Sequence, residues 1–435
     1  MQGLDHKILF ILLDAFRHDY INSVDTPFLY SKISQGLYAK KLKSVAGFTQ
    51  RTAIYTGTTG GESGMFTMFT FDSEKSPFRF LRDNAKLARF SSRRRWWDAL
   101  PSWPGLGLVS EIMNGRFQDH LNSFREWITK EAKKYASNAP LANIPLTLLP
   151  EIGVSEDNLP IYLPGAFKQE SIFDVFQQTG ILYEYLMYPL IDCQDDDVLE
   201  AFIEKKDSQS HILFGQLSDS DMIVHHCGPE SYERRKVVGE IDRKLREIST
   251  NYGGSTTWII VGDHGMTEVI EEIDVPALLS PIERRLDVEM GRDYLLFLDS
   301  TMARFRWKTE AGKIFLEEVK KQERLLKKGF FVNKQLANEY SIPFPDRRYG
   351  DLIWWANIGV LLFPDYFHDH YTHVKGMHGY NSAHDDMKGF FLAFGPGIQP
   401  KEIEEVHLID VCPSICAAVG VRPTGNNKGT CLLVN

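Results

Sequence analysis

Short apolar runs recur along the chain, and each is bounded by polar residues or glycine. They occupy residues 8–13, 211–217, 258–261, 294–298, 359–363 and 390–394. Runs of this length, rich in Ile, Leu, Val and Phe without strict alternation, are typical of strands that are buried on both faces of a sheet. Between them, residues 230–250 show the clearest helical pattern, with apolar side chains on one stripe and charged side chains elsewhere. The alternation predicts an α/β fold: a doubly wound, mostly parallel central sheet with helices on both faces.

Two regions interrupt this alternation. Residues 77–165 are rich in Trp, Arg and Pro, and residues 280–365 form a second mixed segment. We predict one large domain over residues 1–435, with both regions as subdomains inserted near the edge of the sheet that holds ligands, and with the first acting as a cap. The cap contains Arg-Arg-Arg-Trp-Trp at residues 93–97. This cluster has two interpretations: it contacts the substrate or an anionic lipid head group, or it packs Trp into the cap and leaves Arg in solvent.

The net charge and the cysteine content indicate which binding partners and structural sites the chain is not expected to have. The 435 residues carry a formal net charge of -9 with a pI near 5.8, whereas non-specific binding of nucleic acid needs a basic surface. We therefore expect no stable nucleic-acid complex, and an anionic substrate must be met by local positive charge such as metal ions. The five cysteines lack paired CxxC spacing, so neither a disulfide framework nor a zinc ribbon is indicated.

Apolar segments can act as signals for the cellular location of a protein, beginning with the one at the N-terminus. The N-terminal apolar run is short and is followed directly by Asp14, with no cleavage site, so it predicts a buried strand rather than a signal peptide. No stretch approaches the roughly 20 apolar residues that are needed to span a bilayer. We therefore expect a cytoplasmic protein in a reducing compartment.

Polar residues that follow the apolar runs are candidates for chemistry, because the carboxyl ends of strands hold ligands in doubly wound sheets. With two histidines further along, the candidates are Asp14, Asp219, Asp221, His225, Asp263, His264 and His378. Taken alone, an Asp at a strand end is most often a helix cap or turn residue, and a lone His is usually structural. Their joint occurrence predicts two metal sites of mixed carboxylate and imidazole ligands, the donor set suited to zinc. Two ions about 3.5–4 Å apart could clamp the attacking and leaving oxygens of a displacement at phosphorus.

Several sequence blocks carry a resemblance to a known family. They are ILFILLDAFRHDY, AIYTGTTGGESGM, DMIVHHCGPES, IIVGDHGMT and HGYNS followed by MKGFFLAFGPGI. In this order the blocks resemble the signature of the type I phosphodiesterase/nucleotide pyrophosphatase branch of the alkaline phosphatase superfamily. The resemblance implies a metal-dependent hydrolase of phosphodiester or pyrophosphate bonds that acts on a small phosphate-ester or nucleotide-type substrate. It also implies two divalent metal ions, expected to be Zn²⁺.

The resemblance further implies a role for individual residues. One zinc would be held by Asp221, His225 and His378, and the other would be held by Asp14, Asp263 and His264. The family attacks phosphorus with a Thr or Ser hydroxyl that lies between the two metals.

The position of this nucleophile departs from the family pattern. Counting back from Thr56 selects Gly47, which has no side chain, whereas matching the Gly-Phe-Ser/Thr form of some relatives selects Thr49. Thr49 is therefore the predicted nucleophile, with capping of a helix over residues 50–55 as its alternative role. Arg51 is predicted to hold a phosphoryl oxygen, with exposure to solvent as its alternative.

Other functions remain open on the sequence alone. A phosphomonoesterase of the same fold is the nearest alternative to a phosphodiesterase. A sulfatase is disfavoured because its Cys-x-Pro-x-Arg block is absent, and Gly-Phe-Thr-Gln-Arg stands at residues 47–51. A different class is a metal-binding, non-catalytic relative that lacks a true nucleophile, and Gly47 keeps that alternative open. A lipid-linked substrate or peripheral membrane contact is also open, as is the oligomeric state.

Overall fold

A computed structural model describes residues 6–84, 130, 144–145, 147–155, 160–186, 194–368 and 373–433. Its strands, in chain order, are β1 Ile8–Leu13, β2 Gly36–Lys43, β3 Phe69–Thr70, β4 Gly153–Val154, β5 Tyr183–Tyr185, β6 Ile212–Leu217, β7 Thr257–Gly262, β8 Thr267–Glu268, β9 Glu271–Ile273, β10 Tyr294–Asp299, β11 Met302–Trp307, β12 Gly329–Phe331, β13 Leu352–Ala356, β14 Val360–Leu362, β15 Gly376–Met377, β16 Gly389–Phe394 and β17 Lys401–His407.

The α-helices in the same described ranges are α1 Pro27–Ile33, α2 Gln50–Thr56, α3 Gly60–Ser63, α4 Ile172–Thr179, α5 Asp195–Glu204, α6 Asp219–Cys227, α7 Tyr232–Tyr252, α8 Val275–Leu286, α9 Glu310–Val319, α10 Glu323–Lys328, α11 Lys334–Glu339 and α12 Val411–Ala418. Short 3-10 helices lie at His18–Tyr20, Arg79–Asn84, Leu149–Glu151, Asp385–Met387 and Leu408–Asp410. None of these helices is both long and apolar enough to cross a membrane.

A seven-stranded sheet lies at the centre, in the order β17-β2-β16-β7-β1-β6-β5. β1 pairs in parallel with β6 and β7, β5 pairs in parallel with β6, and β17 pairs in parallel with β2. β16 runs antiparallel to both of its neighbours, β2 and β7. Six strands therefore share one direction, which confirms the predicted mostly parallel α/β sheet.

Both faces of this sheet are covered by helices, as predicted. The side chains of β1 alternate between two hydrophobic cores, because successive residues of a strand point to opposite faces. Ile8, Phe10 and Leu12 pack in the core that contains residues of α2, α4 and α12. Leu9 and Ile11 pack in the core that contains residues of α1, α5 and α7. Helix α7 is the predicted amphipathic helix; it begins after Ser231, whose hydroxyl accepts from the Arg234 N–H.

Three predicted strands form with partners that the apolar pattern did not predict. The run at residues 294–298 lies in β10, which belongs to a separate four-stranded antiparallel sheet of order β10-β11-β13-β12. The run at residues 359–363 contains β14, which pairs with β9 outside the central sheet. The run at residues 390–394 lies in β16, the antiparallel member of the central sheet. An apolar run indicates that a strand is buried, but it does not indicate which strand it pairs with. The pattern therefore could not predict these pairings.

Three strands of the central sheet were absent from the predicted set: β2, β5 and β17. β5 has only three residues, Tyr183–Tyr185. β2 has the sequence GLYAKKLK and β17 has the sequence KEIEEVH, and both carry charged residues. β17 lies at the edge of the sheet and is mostly exposed, so its composition lacks the apolar signal of a central strand.

The predicted inserts are described only in part. Most of residues 77–165, including the Arg-Trp cluster at residues 93–97, lies outside the described residues. Residues 280–365 include the antiparallel sheet of β10–β13 and helices α9–α11. The division of the chain into subdomains stays a prediction.

Candidate active site

The predicted metal ligands gather at one edge of the central sheet. Asp14 follows β1, and the Asp263-His264 pair follows β7. After β6 the chain enters α6, which carries Asp221 and His225 one helical turn apart. Because β1, β6 and β7 are adjacent and parallel, their carboxyl ends lie side by side.

A small antiparallel pair brings His378 to the same place. β15 ends just before His378 and pairs with β8, which begins three residues after His264. The end of α6 is attached to β15 as well, because the Lys375 N–H donates to the His225 carbonyl at 2.8 Å. The His264 and His378 rings therefore stack, with their centroids 4.2 Å apart.

The six residues form two groups of three, and they are the two sets that the resemblance implies. In each group, one potential ligand atom from every member lies within 4.8 Å of the others. We call Asp14, Asp263 and His264 the strand-end group, and Asp221, His225 and His378 the helix-and-loop group. That each group binds a metal ion stays a prediction.

Within each group, the histidine nitrogens and the carboxylate oxygens lie close enough together to bind one ion. In the strand-end group, His264 Nε2 lies 3.3 Å from Asp14 Oδ1 and 3.8 Å from Asp263 Oδ1. In the helix-and-loop group, His225 Nε2 lies 3.3 Å from Asp221 Oδ1, and His378 Nε2 lies 3.7 Å from the same oxygen.

Backbone carbonyls set the tautomers of two histidines. His225 Nδ1 lies 2.8 Å from the Gly376 carbonyl oxygen, and His264 Nδ1 lies 2.9 Å from the Gly265 carbonyl oxygen. A carbonyl oxygen only accepts, so each Nδ1 carries a proton that it donates. Each Nε2 then points at a carboxylate oxygen. The lone pair of Nε2 and the negative charge of that oxygen repel each other unless a proton or a cation lies between the two atoms. This is the arrangement in which proteins hold metal-binding histidines.

The pKa values in the strand-end group reflect two carboxylates beside one imidazole. Burial alone would lower the pKa of His264, but Asp263 and Asp14 raise it to about 10. Burial raises the pKa of Asp263 to about 7, against the opposing charge of His264 and with the help of Asp14. Without a metal ion, this group therefore favours bound protons.

The helix-and-loop group has one carboxylate for two imidazoles. Burial would raise the pKa of Asp221, but His225 and His378 hold it well below its usual range. Burial would lower the pKa of His225, but Asp221 raises it. Burial and the charge of His264 lower the pKa of His378 well below its usual range. One histidine of this group is thus favoured as the cation and the other as the neutral ring.

Thr49 and Arg51 share a cavity with both groups. The cavity has a volume of about 340 Å³. Its walls are formed by the strand-end residues, by the helix-and-loop residues, and by Phe48, Thr49, Gln50, Arg51, Met68, Gln216, Asp299, Ser300, Phe367, His368 and Met377. The predicted ligands and the predicted catalytic residues therefore surround one volume.

The Thr49 hydroxyl is engaged away from the helix that follows it. Thr49 is the N-cap residue of α2, yet its side chain makes no capping hydrogen bond. Thr49 Oγ1 instead donates to the Met65 carbonyl at 2.9 Å, and the residue is 4% exposed. The alternative of a side-chain helix cap therefore finds no support in the structure.

Gly47 stands where no side chain fits. Its φ is +90°, in the left-handed region that favours glycine. A Cβ atom at this position would lie 2.0 Å from the Phe66 carbonyl oxygen. The position selected by counting back from Thr56 thus cannot hold a nucleophilic side chain without a shift of the backbone.

Two other polar residues near the strand ends lie outside both groups. Asp219 lies 3.6 Å from Lys244 and begins helix α6. His226 is next to His225 in sequence, but its Nδ1 lies 2.8 Å from the Met222 carbonyl of its own helix.

Sequence reasoning missed several residues of the cavity wall. Asp299 directly follows the run at residues 294–298, so the strand-end rule could have found it. Ser300 has a positive φ of 48°, which nothing in the sequence signals. Gln216 is the one amide side chain in the strand sequence ILFGQL, a polar residue within an apolar run. His368 lies beyond any apolar run; its Nδ1 lies 2.7 Å from the buried Asp365 carboxylate.

Comparison with known sequences extends these observations. The family described as type I phosphodiesterase/nucleotide pyrophosphatase matches residues 8–381. Ectonucleotide pyrophosphatase/phosphodiesterase family member 7 of Mus musculus is 23% identical over 443 residues, with 97% of this chain and 85% of that protein covered. A bis(5'-adenosyl)-triphosphatase of Bos taurus is 22% identical over 452 residues, with 99% of this chain and 82% of that protein covered.

Solved structures show the same fold. Human ectonucleotide pyrophosphatase/phosphodiesterase 5 matches with a TM-score of 0.65 at 18% identity, over 98% of this chain and 97% of that chain. The murine form, solved as an inactive threonine-to-alanine variant in complex with AMP, matches with a TM-score of 0.66 at 16% identity, over 96% of both chains. This chain therefore has the same fold as these ectonucleotide pyrophosphatase/phosphodiesterases. Since the family match spans most of the sequence, this chain belongs to the type I phosphodiesterase/nucleotide pyrophosphatase family and is a phosphodiesterase-like hydrolase.

Proposed function

We propose that the protein hydrolyses phosphodiester or pyrophosphate bonds with two divalent metal ions and Thr49 as the nucleophile. The observation that carries the proposal is the shared cavity: two groups of three ligands, a buried hydroxyl and Arg51 line one volume of about 340 Å³. A reaction at phosphorus needs these parts together, because the attacking oxygen, the phosphoryl oxygens and the leaving oxygen lie within a few ångströms of each other.

The residues present fit two divalent ions. Asp221 Oδ1 is buried and makes no hydrogen bond to any described residue, although two imidazole nitrogens lie within 3.7 Å of it. An oxygen in this position is stabilised by a cation that it shares with the histidines. Each group offers both imidazole nitrogen and carboxylate oxygen, a donor set that favours zinc over magnesium or calcium. When bound, such ions withdraw electron density from phosphorus and favour loss of the proton from a nearby hydroxyl.

Thr49 would supply the attacking atom. Its Oγ1 loses a proton to solvent and forms a bond to phosphorus while the bond between phosphorus and the leaving oxygen breaks. The leaving group departs, and threonine is left joined through a phosphodiester to the group that phosphorus retains. Attack of water on that phosphodiester then restores the Thr49 hydroxyl and releases the phosphate monoester product. The Thr49 hydroxyl donates to the Met65 carbonyl, a contact that orients Oγ1 at the cavity wall. The related murine protein is inactive as a threonine-to-alanine variant, which supports a threonine-dependent reaction in this family.

Arg51 would bind a phosphoryl oxygen. It lines the cavity two residues after Thr49, within the first turn of α2. A guanidinium can donate two hydrogen bonds to the oxygens of a phosphate, and its charge stabilises the negative charge that develops there.

A nucleotide-type ester is the proposed substrate class. One relative in this family is a bis(5'-adenosyl)-triphosphatase, and another is solved with AMP bound. The cavity wall includes two phenylalanines, Phe48 and Phe367, whose faces can contact an aromatic base.

The test is a comparison of matched esters on protein that has been loaded with zinc. We expect turnover of bis-p-nitrophenyl phosphate and of the p-nitrophenyl ester of AMP to exceed turnover of p-nitrophenyl phosphate. Preferred cleavage of the monoester would overturn the diesterase proposal in favour of a phosphomonoesterase. Absence of all turnover, with two ions bound, would favour the non-catalytic alternative. His226→Ala is the matched control for ligand variants, because His226 lies beside His225 but outside both groups.

A further inference from the structure

Gln216 is a polar side chain in an apolar place. It is 5% exposed and lies in β6, whose remaining residues are Ile, Leu, Phe, Gly and Leu. In the register of the central sheet it is the partner of Leu12, so it lies beside β1 two residues before Asp14. Burial of an amide at this position costs free energy unless the amide makes hydrogen bonds.

The amide holds one oxygen of the Asp14 carboxylate. Gln216 Nε2 donates to Asp14 Oδ2 at 2.7 Å and to the Ser218 hydroxyl at 3.1 Å. The other carboxylate oxygen, Asp14 Oδ1, is the one that lies 3.3 Å from His264 Nε2. The two oxygens of Asp14 are thus divided: one is fixed by Gln216, and the other faces the strand-end group.

Chemistry fixes which end of the amide faces Asp14. An ionised carboxylate accepts and cannot donate, so the NH₂ group of Gln216 must point to it. The carbonyl oxygen, Oε1, is consequently directed elsewhere; it is buried and has no hydrogen-bond partner among the described residues. Gln216 therefore holds Asp14 while its own Oε1 finds no partner in the described part of the chain, an arrangement that simple burial does not explain.

The Asp14 backbone is held by the same stretch of chain. The Asp14 N–H donates to the Leu217 carbonyl at 2.9 Å, and the Ser220 hydroxyl donates to the Asp14 carbonyl. These contacts fix where the side chain starts, and the Gln216 amide fixes the rotation of the carboxylate at its end.

We propose that Gln216 is a positioning residue for the ion of the strand-end group, acting through Asp14. By holding Oδ2, it turns Oδ1 toward His264 and Asp263 before an ion binds, and so reduces the loss of side-chain freedom on binding. The inference rests on the proposed function, because it requires that the strand-end group bind a metal ion.

Zinc competition with a chromogenic chelator tests this inference. The wild-type protein should bind two ions, and Gln216→Met, which keeps the length and removes both polar atoms, should bind one of them about 10- to 100-fold more weakly. The second ion, held by the helix-and-loop group, should bind as in the wild type. Retention of that ion also shows that the variant is folded, because His378 must be brought to Asp221 and His225 from a distant part of the chain.

Two matched variants separate positioning from packing. Ser218→Ala removes the other acceptor of the same NH₂ group and leaves the bond to Asp14, so it should retain wild-type affinity for both ions. Gln216→Asn keeps a buried amide but is one methylene shorter; it should fail to reach Asp14 and should lose affinity for the same single ion. If Gln216→Met does not fold, the Asn variant carries the test.

A double-mutant cycle completes the design. In an Asp14→Ala background, Gln216→Met should change zinc affinity no further, because the partner through which it acts is gone. Wild-type affinity in both Gln216 variants, or an equal loss at both ions, would overturn the inference while the metal centre stands. Failure of the wild-type protein to bind two ions would overturn the proposed function itself, and the two failures are thereby distinguishable.

Discussion

The two groups of potential ligands reach the same cavity by different routes. The strand-end group takes all three residues from the loops that directly follow β1 and β7. The helix-and-loop group takes Asp221 and His225 from one turn of α6, and takes His378 from a point more than one hundred and fifty residues further along the chain. The first group is thus placed by neighbouring strands, whereas the second depends on the β15–β8 pair to bring its last member into contact.

The two groups also differ in the hydrogen bonds that hold their side chains. In the strand-end group, Asp263 Oδ1 accepts from the His264 N–H at 3.0 Å and from the Ala15 N–H at 3.4 Å, and Asp14 is held by Gln216. In the helix-and-loop group, His225 is held by the Gly376 carbonyl, but His378 Nδ1 and Asp221 Oδ1 are buried without a hydrogen-bond partner among the described residues. We infer that the first group is organised by the protein and that the second is completed by its ion.

The largest expected effect concerns the hydroxyl that both groups surround. Thr49→Ala should lower kcat on the order of 10⁴-fold or more with two ions still bound, because a covalent nucleophile is lost while neither group is touched. Thr49→Ser keeps the hydroxyl and is the matched control; it should retain most of the activity. Steady-state kinetics and metal content on the same samples give the answer. A folded, metal-loaded Ala variant with near wild-type kcat would show that Thr49 is not the attacking residue.

The next effect separates the two groups by their ions. His378→Ala should reduce bound zinc from two ions to one and lower activity by more than about 100-fold, since it removes a ligand and not merely a supporting residue. The remaining ion should be as tightly bound as before, because the strand-end group keeps its three ligands. Elemental analysis after dialysis measures this. Full metal content in the variant would remove His378 from the ligand set.

A smaller effect follows from the opposite proton preferences of His264 and His378 in protein from which metal has been removed. His264 has a pKa raised to about 10 from an ordinary value of 6.5. A raised histidine pKa contributes stability that is fully present below pH 6.5 and is lost as the pH rises through 10. His378 has a lowered pKa, so its contribution has the opposite sign and is lost as the pH falls below 6.5.

The measurement is the free energy of unfolding of the metal-free protein between pH 6.5 and 10. A single such group contributes a slope of up to about 1.4 kcal/mol per pH unit. The wild-type protein should lose stability over this window, and His264→Gln should flatten the loss. His378→Gln should leave the loss unchanged. Equal slopes in the wild type and in His264→Gln would show that the strand-end group does not hold the extra proton.

The sequence allowed the strand-end group to be predicted more directly than the rest of the site. Asp14 and Asp263 each follow an apolar run, so the general rule for strand ends selects them. His378 follows only the two-residue strand β15, which has no apolar signature, so the strand-end rule does not select it, and the family resemblance alone implied its ligand group. The central sheet was predictable because its middle strands are uniformly buried. The antiparallel sheet of β10–β13 was not, because partner choice depends on contacts between distant segments that no local pattern records.

The smallest expected effect tests whether the helix-and-loop group is the more easily disturbed of the two. Gly47→Ala places a Cβ atom 2.0 Å from the Phe66 carbonyl oxygen at a φ of +90°, so the segment that precedes Thr49 must move. Phe48 is the next residue, and its ring lies edge-on to the His378 ring with the centroids 5.7 Å apart. The movement should therefore pass to His378 and weaken the ion of that group, while the strand-end ion is retained. The free energy of unfolding should fall by about 1–3 kcal/mol.

Gly397→Ala is the matched control, because Gly397 has a φ of +79° but no atom of the described residues lies within 4 Å of the added Cβ. It bears the backbone strain without the collision, so it should lose less stability and should bind both ions as the wild-type protein does. Equal weakening of both ions in Gly47→Ala would mean that the two groups respond as one unit, and the distinction between them would fail.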